Sequence, residues 1–209
     1  MTHFKDLANA YPSLSDCIRD ITMAYERIKQ TYHDNCRVYV CGNGGSEADA
    51  RHITGELMKG FEKKRPATFD EAIRRKMDVS TALLLEQKLQ GALPCHSLCS
   101  ESALISALVN DIDADIIFAQ QIYGYGRTGD SLICISTSGN ATNVCLAAEL
   151  AGAMGLHTIA LTGSSGGKLA GLCDVSIKVP AESTAQVQEY HLPIYHALCR
   201  AVEDYFFAE

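Results

Sequence analysis

Apolar residues recur at helical spacing near the start of the chain, at Leu14, Ile18, Ile21, Tyr25 and Ile28. No glycine interrupts residues 4–33, so the pattern predicts a long amphipathic N-terminal helix whose other face can meet another subunit. The pattern then changes to short continuous apolar runs, the signature of strands covered on both faces. They predict strands at Arg37 to Cys41, Ala92 to Leu98, Leu132 to Ile135, His157 to Leu161 and Val175 to Val179. Helical stretches lie between them: one fading near Lys59-Gly60, one from Ser100 (a cap) to Asn110 with Glu101 in its first turn, and Phe118 to Tyr125. Another reaches Met154, a short piece reaches Leu172, and a last helix runs from about Thr184 to Phe206. Residues 67–90 form a charged segment that reads as one or two inserted helices, with Thr68 and Asp70 as cap-like residues. Alternating strands and helices predict an α/β three-layer sandwich, with a mainly parallel five-stranded sheet, as one domain over residues 1–209.

Charge and composition narrow the partners. With 18 Lys and Arg against 25 Asp and Glu, the net charge is −7, and basic residues cluster only at Lys63-Lys64-Arg65 and Arg74-Arg75-Lys76. That argues against nucleic acid. No apolar run approaches the ~18 residues of a membrane span, and the first residues lack the apolar core of a signal peptide, so no membrane partner and a cytoplasmic location are expected. Nine cysteines fall mostly inside apolar runs and read as reduced core residues. Cys95, His96 and Cys99 fall within five residues of one another, which leaves two readings. One is a metal site; the other is a buried strand entering a helix, with thiols packed as small apolar groups.

Candidate chemistry begins in the stretch from Val38 to Glu56, which runs from a strand through glycines into a helix. Gly42, Gly44 and Gly45 allow a tight turn and close approach of the backbone to a ligand, and Ser46 can cap the helix, whose free N–H groups favour an anion. His52 and Glu56 are four residues apart on one face, about one turn below the loop. Loops at Asn43 to Ser46, Ser136 to Asn140 and Thr162 to Gly167 each follow a strand and are rich in Gly, Ser, Thr or Asn. Ligands of open parallel sheets bind beyond the carboxyl ends of the strands. Hydroxyls and backbone N–H groups without a dedicated lysine fit a sugar phosphate better than a nucleoside triphosphate, and the Walker and dinucleotide motifs are absent. No nucleotide cofactor is expected. Gln188 and His196 are eight residues apart and can share one helix face, with His191 rotated away.

Cys41 to Ala50 (CGNGGSEADA), Ile135 to Asn140 (ISTSGN), Leu161 to Gly163 with Gly166 to Lys168, and Val187 to His191 (VQEYH) resemble the sugar isomerase (SIS) domain family, nearest its phosphoheptose isomerase branch. The resemblance implies a flavodoxin-like fold that interconverts sedoheptulose 7-phosphate and a heptose 7-phosphate through an enediol. It implies a homotetramer with sites between subunits and, as a possible cofactor, zinc. By motif, Asn43, Gly44, Gly45, Ser46, Ser136, Thr137, Ser138 and Asn140 surround the phosphate, Asn110 and Asp111 reach towards the sugar, and Gln188 joins them. Glu56 and His196 are the expected base and acid, the reverse assignment remaining open. His52, Glu56, Gln188 and His196 are the candidate metal set. The chain also departs from the family pattern. Ala141 stands where the family has a serine, Ala185 where it has an aspartate three residues before the glutamine, and Lys59-Gly60 where it has Gly-Arg. The 67–90 insertion is foreign to the typical enzyme and stands where it can close over a site or line an interface. The alternative function is a non-catalytic SIS protein that senses a sugar phosphate or binds a protein such as a replication initiator; the presence of both Glu56 and His196 favours the enzyme.

Overall fold

The structure is a computed structural model that describes residues 2–207. Five parallel strands form its centre: β1 (Val38–Gly42), β2 (Cys95–Ser97), β3 (Ser131–Ile135), β4 (His157–Thr162) and β5 (Val175–Lys178). Their order is β2-β1-β3-β4-β5, with Val38 in register with both Cys95 and Ser131. β1 and β3 are buried along their whole length, which is why their apolarity is continuous rather than alternating. The chain leaves β1 towards β2 on one side and returns to β3 on the other. The loops after β1 and β3 therefore diverge, opening a crevice at the switch point where ligands of such sheets bind.

Helices α2 (Ile18–His33), α3 (Gly45–Met58) and α10 (Thr184–Phe206) pack on one face of the sheet, and α7 (Ile117–Tyr125), α8 (Thr142–Ala153) and α9 (Leu169–Leu172) on the other. The N-terminal helix is not continuous. Helix α1 (Thr2–Ala10) stops at Tyr11, whose backbone is at φ −129°, ψ 77°, and a 3-10 turn (Pro12–Cys17) leads into α2. Pro12 causes the break, since it has no N–H to donate and disfavours helical backbone in the residue before it. The apolar stripe of Leu14, Ile21, Tyr25 and Ile28 is buried within this chain. β2 is shorter than the apolar run that predicts it, because the run contains Pro94. Helix α6 (Ser102–Asp111) starts one residue late, with Glu101 and not Ser100 at its N-cap. No helix among the described residues is long and apolar enough to cross a membrane.

The insertion is helical, as α4 (Glu71–Arg74) and α5 (Val79–Lys88), capped by the carboxylates of Asp70 and Asp78 and not by Thr68. Glu86 ties its two halves together by accepting from the Phe69 N–H and from Arg74. Only Ala82 of these helices is buried, so the segment stands off the core. Its feet meet in an antiparallel bridge between Pro66 and Gln90, next to the end of α3, where the Gly60 N–H donates to Gln90 Oε1 at 2.7 Å.

Candidate functional site: two clusters along helix α3

The first cluster gathers the loops after β1 and β3. Gly44, at φ 58° and ψ −118°, is the N-cap of α3, a backbone geometry that a side chain would strain. Ser46 is therefore not the cap. It sits in the first turn, 3% exposed. A Cβ on Gly45 would fall 2.3 Å from Gln188 Nε2, so the side chain of Gln188 lies directly on this glycine. The hydroxyls of Ser46, Ser136 and Thr137 have no partner among the described residues, which leaves them available to a ligand. Asn140 is spent on architecture: its amide donates to the Ser138 carbonyl and its oxygen accepts from the Lys168 N–H. Asn43 forms a reciprocal amide pair with Asn143 at 2.9 and 3.0 Å, which locks the β1 loop to the start of α8. The loop after β4 acts as a buttress, with the Gly163 N–H donating to the Thr137 carbonyl and Gly139 packed against Gly166.

The second cluster lies further down. His52 and Glu56 follow Gly45 by 7 and 11 residues, which places them about 10 and 16 Å along the axis, two and three turns below the loop rather than one. His52 Nε2 is 3.1 Å from Glu56 Oε1, and its Nδ1 is 3.0 Å from the Tyr195 hydroxyl, which donates to Asp49 Oδ1 at 3.2 Å. The His196 ring stands edge-on to those of His52 and Tyr195, with centroids 5.0 and 5.1 Å away, and Phe61 lies 5.2 Å off. Lys59 Nζ approaches Glu56 Oε2 at 3.5 Å. Burial, then the neighbouring His52 and Arg200 charges, push the His196 pKa down from its ordinary value. It is therefore a neutral imidazole at pH 7. Burial raises the Asp49 carboxyl, against the hydrogen bond from Tyr195.

A buried ion pair holds this cluster in place. Arg65 and Glu203, 0% and 1% exposed at their side chains, meet at 2.7 Å. Glu203 also accepts from the N–H groups of Phe61, Glu62 and Lys63, while Arg65 donates to the carbonyls of Leu57 and Glu56. The guanidinium thus satisfies the open C-terminal end of α3. Burial alone would raise the Glu203 carboxyl, but the Glu62 and Phe61 amides and Arg65 outweigh it and hold the pKa below the usual value.

Asn110 and Asp111 sit exposed at the end of α6, hydrogen-bonded to each other at 2.7 Å, and no hydrogen bond among the described residues links them to either cluster. Of the four side chains named for zinc, His52 and Glu56 lie 3.1 Å apart and the His196 ring packs against His52, while Gln188 lies on Gly45 in the upper cluster. Among the described residues no three His, Cys, Asp or Glu side chains group as ligands of a metal ion. Cys95 and Cys99 pack as buried thiols against Thr54 Oγ1 and the Gly42 carbonyl, and burial pushes them up to about 12 and about 11. Asp49, Tyr195, Phe61, Arg65 and Glu203 were not singled out from the sequence. Glu203 follows His196 by seven residues, two helical turns, and that spacing is the one signal that would have found it.

A parallel sheet with polar loops at its switch point and an acid–base cluster on an adjoining helix pair defines a class of α/β protein that handles phosphorylated sugars. The profile of the SIS domain family matches residues 13–94 and 91–163, and the chain belongs to that family. Within it, the chain falls in the phosphoheptose isomerase-like branch. The phosphoheptose isomerase of Rhodospirillum rubrum is 36% identical over 197 residues, covering 94% of this chain and 92% of the relative. That of Aneurinibacillus thermoaerophilus is 33% identical, covering 92% and 84%. The structure of the phosphoheptose isomerase from Neisseria gonorrhoeae superimposes with a TM-score of 0.75 at 30% identity, covering 97% of this chain and 96% of that one.

Proposed function

We propose that this enzyme, an aldose–ketose isomerase of phosphorylated sugars, acts on sedoheptulose 7-phosphate or a sugar phosphate of similar length, by proton transfer through an enediol. The relatives that carry the name phosphoheptose isomerase support the substrate. The carrying observation is the placement of Glu56 and His196 on adjoining helices, bridged by His52. Moving a carbonyl from C1 to C2 needs a base for the proton on the neighbouring carbon and a partner for the proton on oxygen. A carboxylate suits the first role, and a neutral imidazole, which can donate and accept, suits the second. The hydroxyls of Ser46, Ser136 and Thr137 would hold the phosphate and so fix the reacting carbons.

Spacing bears on assembly. Glu56 stands about 16 Å of helix rise below the phosphate loop, whereas an extended seven-carbon sugar phosphate spans only about 10 Å. This favours a site that combines the loops of one copy with Glu56 and His196 of another, in a homotetramer where exposed Asn110 and Asp111 also find their ligand. Nine free cysteines accord with a cytoplasmic setting.

The test is incubation with sedoheptulose 7-phosphate in heavy water. Formation of the aldose, with deuterium at C1 or C2, is the expected result. Binding of the sugar phosphate without exchange would replace the isomerase with a sensor. Light scattering that gave the 22.6 kDa monomer at micromolar concentration would remove the shared site.

A further inference from the structure

The 67–90 insertion forms helices without a core of its own. Of α4 and α5 only Ala82 is buried, while Ile73, Val79, Leu83, Leu84 and Leu89 are 46–73% exposed. A helix as short as the 10 residues of α5 is marginal in water unless a packed face holds it. Large apolar side chains gathered on one short segment also mark an interaction surface. A second such face lies on α6. Only Leu108 of that helix is buried, Val109 and, at its end, Ile112 are 52% and 68% exposed, and Asp111, Asp113 and Asp115 stand exposed beside them. The two faces are complementary in charge. The insertion has four basic and four acidic side chains, so the whole net charge of −7 falls on the rest of the chain. Within it, Arg74 and Arg75 pair with Glu86 and Glu71, which leaves Lys76 and Lys88 without an ion-pair partner among the described residues.

We propose that α5 of one copy docks on α6 of a second copy of this chain. Leu83 and Leu84 meet Val109 and Ile112, and the free lysines of the insertion turn to the aspartates at the end of α6. The occupant is a second copy because each chain carries both halves of the contact. Under a two-fold axis the insertion of each copy covers α6 of the other, and the contact is made twice. The chain enters the edge strand β2 from the insertion and leaves it into α6, so the two faces flank the same edge of the sheet. The area agrees. The chain exposes 10655 Å², against about 9,500 Å² for a compact monomer of its mass. The excess of about 1,150 Å² is larger than the ~800 Å² that each partner gives to a standard interface. The proposal specifies one contact of the assembly inferred above and rests on that assembly, but not on the isomerase activity.

The experiment uses the full chain and two double variants, Leu83→Glu with Leu84→Glu on α5 and Val109→Glu with Ile112→Glu on α6. All four residues are exposed, so each variant keeps its core. Light scattering at micromolar concentration should give a multiple of the 22.6 kDa chain mass for the wild type, and half of that multiple for either variant. Mixing the two variants should restore part of the larger species, because an intact α5 from one then meets an intact α6 from the other. Hydrogen exchange gives a second reading. Amides of residues 79–88 should be protected in the wild type and lose that protection in the α6 variant, whose insertion is unchanged. A wild type with the mass of a single chain would overturn this contact together with the assembly. A wild type that assembles, with an α6 variant that keeps both the mass and the protection of α5, would overturn the contact alone.

Discussion

The two clusters along α3 are built by opposite means. The upper one is made of backbone and short side chains: glycines that let loops touch, hydroxyls left without partners, and amides that lock one loop to the next. The lower one is made of long side chains from α3 and α10, each held by another. A rigid anion cradle needs only fixed N–H and O–H donors, which tight turns supply. An acid–base pair needs orientation and a tuned pKa, which only neighbouring side chains supply. Binding and chemistry should therefore respond to different substitutions.

The sharpest break would come from Glu56→Gln. Without the base, turnover should fall by roughly 10²–10⁴-fold while the affinity for sugar phosphate persists, as read by kinetics and calorimetry. Arg65→Met acts on the scaffold under the same cluster. It strands the Glu203 carboxylate in the core, and thermal or denaturant unfolding should report a loss of about 3–5 kcal/mol. Ser136→Ala combined with Ser138→Ala should do the reverse of Glu56→Gln, weakening phosphate binding by about tenfold or more, since hydrogen bonds to charged groups contribute about 1.5–3 kcal/mol each. Unchanged binding in that double variant would displace the phosphate from these loops.

The smallest effect concerns acid. Burial lowers the His191 pKa to about 4, so the folded chain takes up its proton later than the unfolded one. The stability it contributes is complete above the ordinary histidine value of about 6.5 and is lost as pH falls towards 4. Glu203, whose folded pKa is also depressed, begins to lose its contribution only below the ordinary glutamate value of about 4.3. Tm measured from pH 8 to pH 4 should therefore decline first through His191 and His196, whose folded pKa values are both depressed, and His191→Phe should reduce that first decline. A decline of the same size in the variant would assign it to other groups.

The legibility of the two clusters in the sequence follows the same division. Turns are written locally, so Gly42 to Ser46 and Ser136 to Asn140 could be read as loops after strands, and the final helix was bounded by its own periodicity. Even there the cap was assigned by residue type to Ser46, whereas a positive φ gives it to Gly44. That shift starts α3 at Gly45, although even counted from Ser46 the spacing of six and ten residues sets His52 and Glu56 about 9 and 15 Å down the helix, deeper than one turn. The partners of the lower cluster lie far apart in the chain: Asp49 meets Tyr195 across 146 residues, and Arg65 meets Glu203 across 138. Periodicity shows which face of a helix is buried and not which buried side chain it will touch. The break at Pro12 is a different kind of miss. The proline was visible, and the apolar stripe continues through it because a 3-10 turn keeps Leu14 and Cys17 on the buried side.

The feet of the 67–90 insertion stand side by side, bridged at Pro66 and Gln90, with the Gly91 N–H on the Arg65 carbonyl. A segment that departs and returns at one point asks nothing of the sheet as it grows or shrinks, because doubling a closed loop adds only about 0.6 kcal/mol of closure entropy. The stalk above Arg65 is in this sense a socket. Heads of different length and character can be exchanged in it over evolutionary time, or grafted by design, while the helices beneath keep their register.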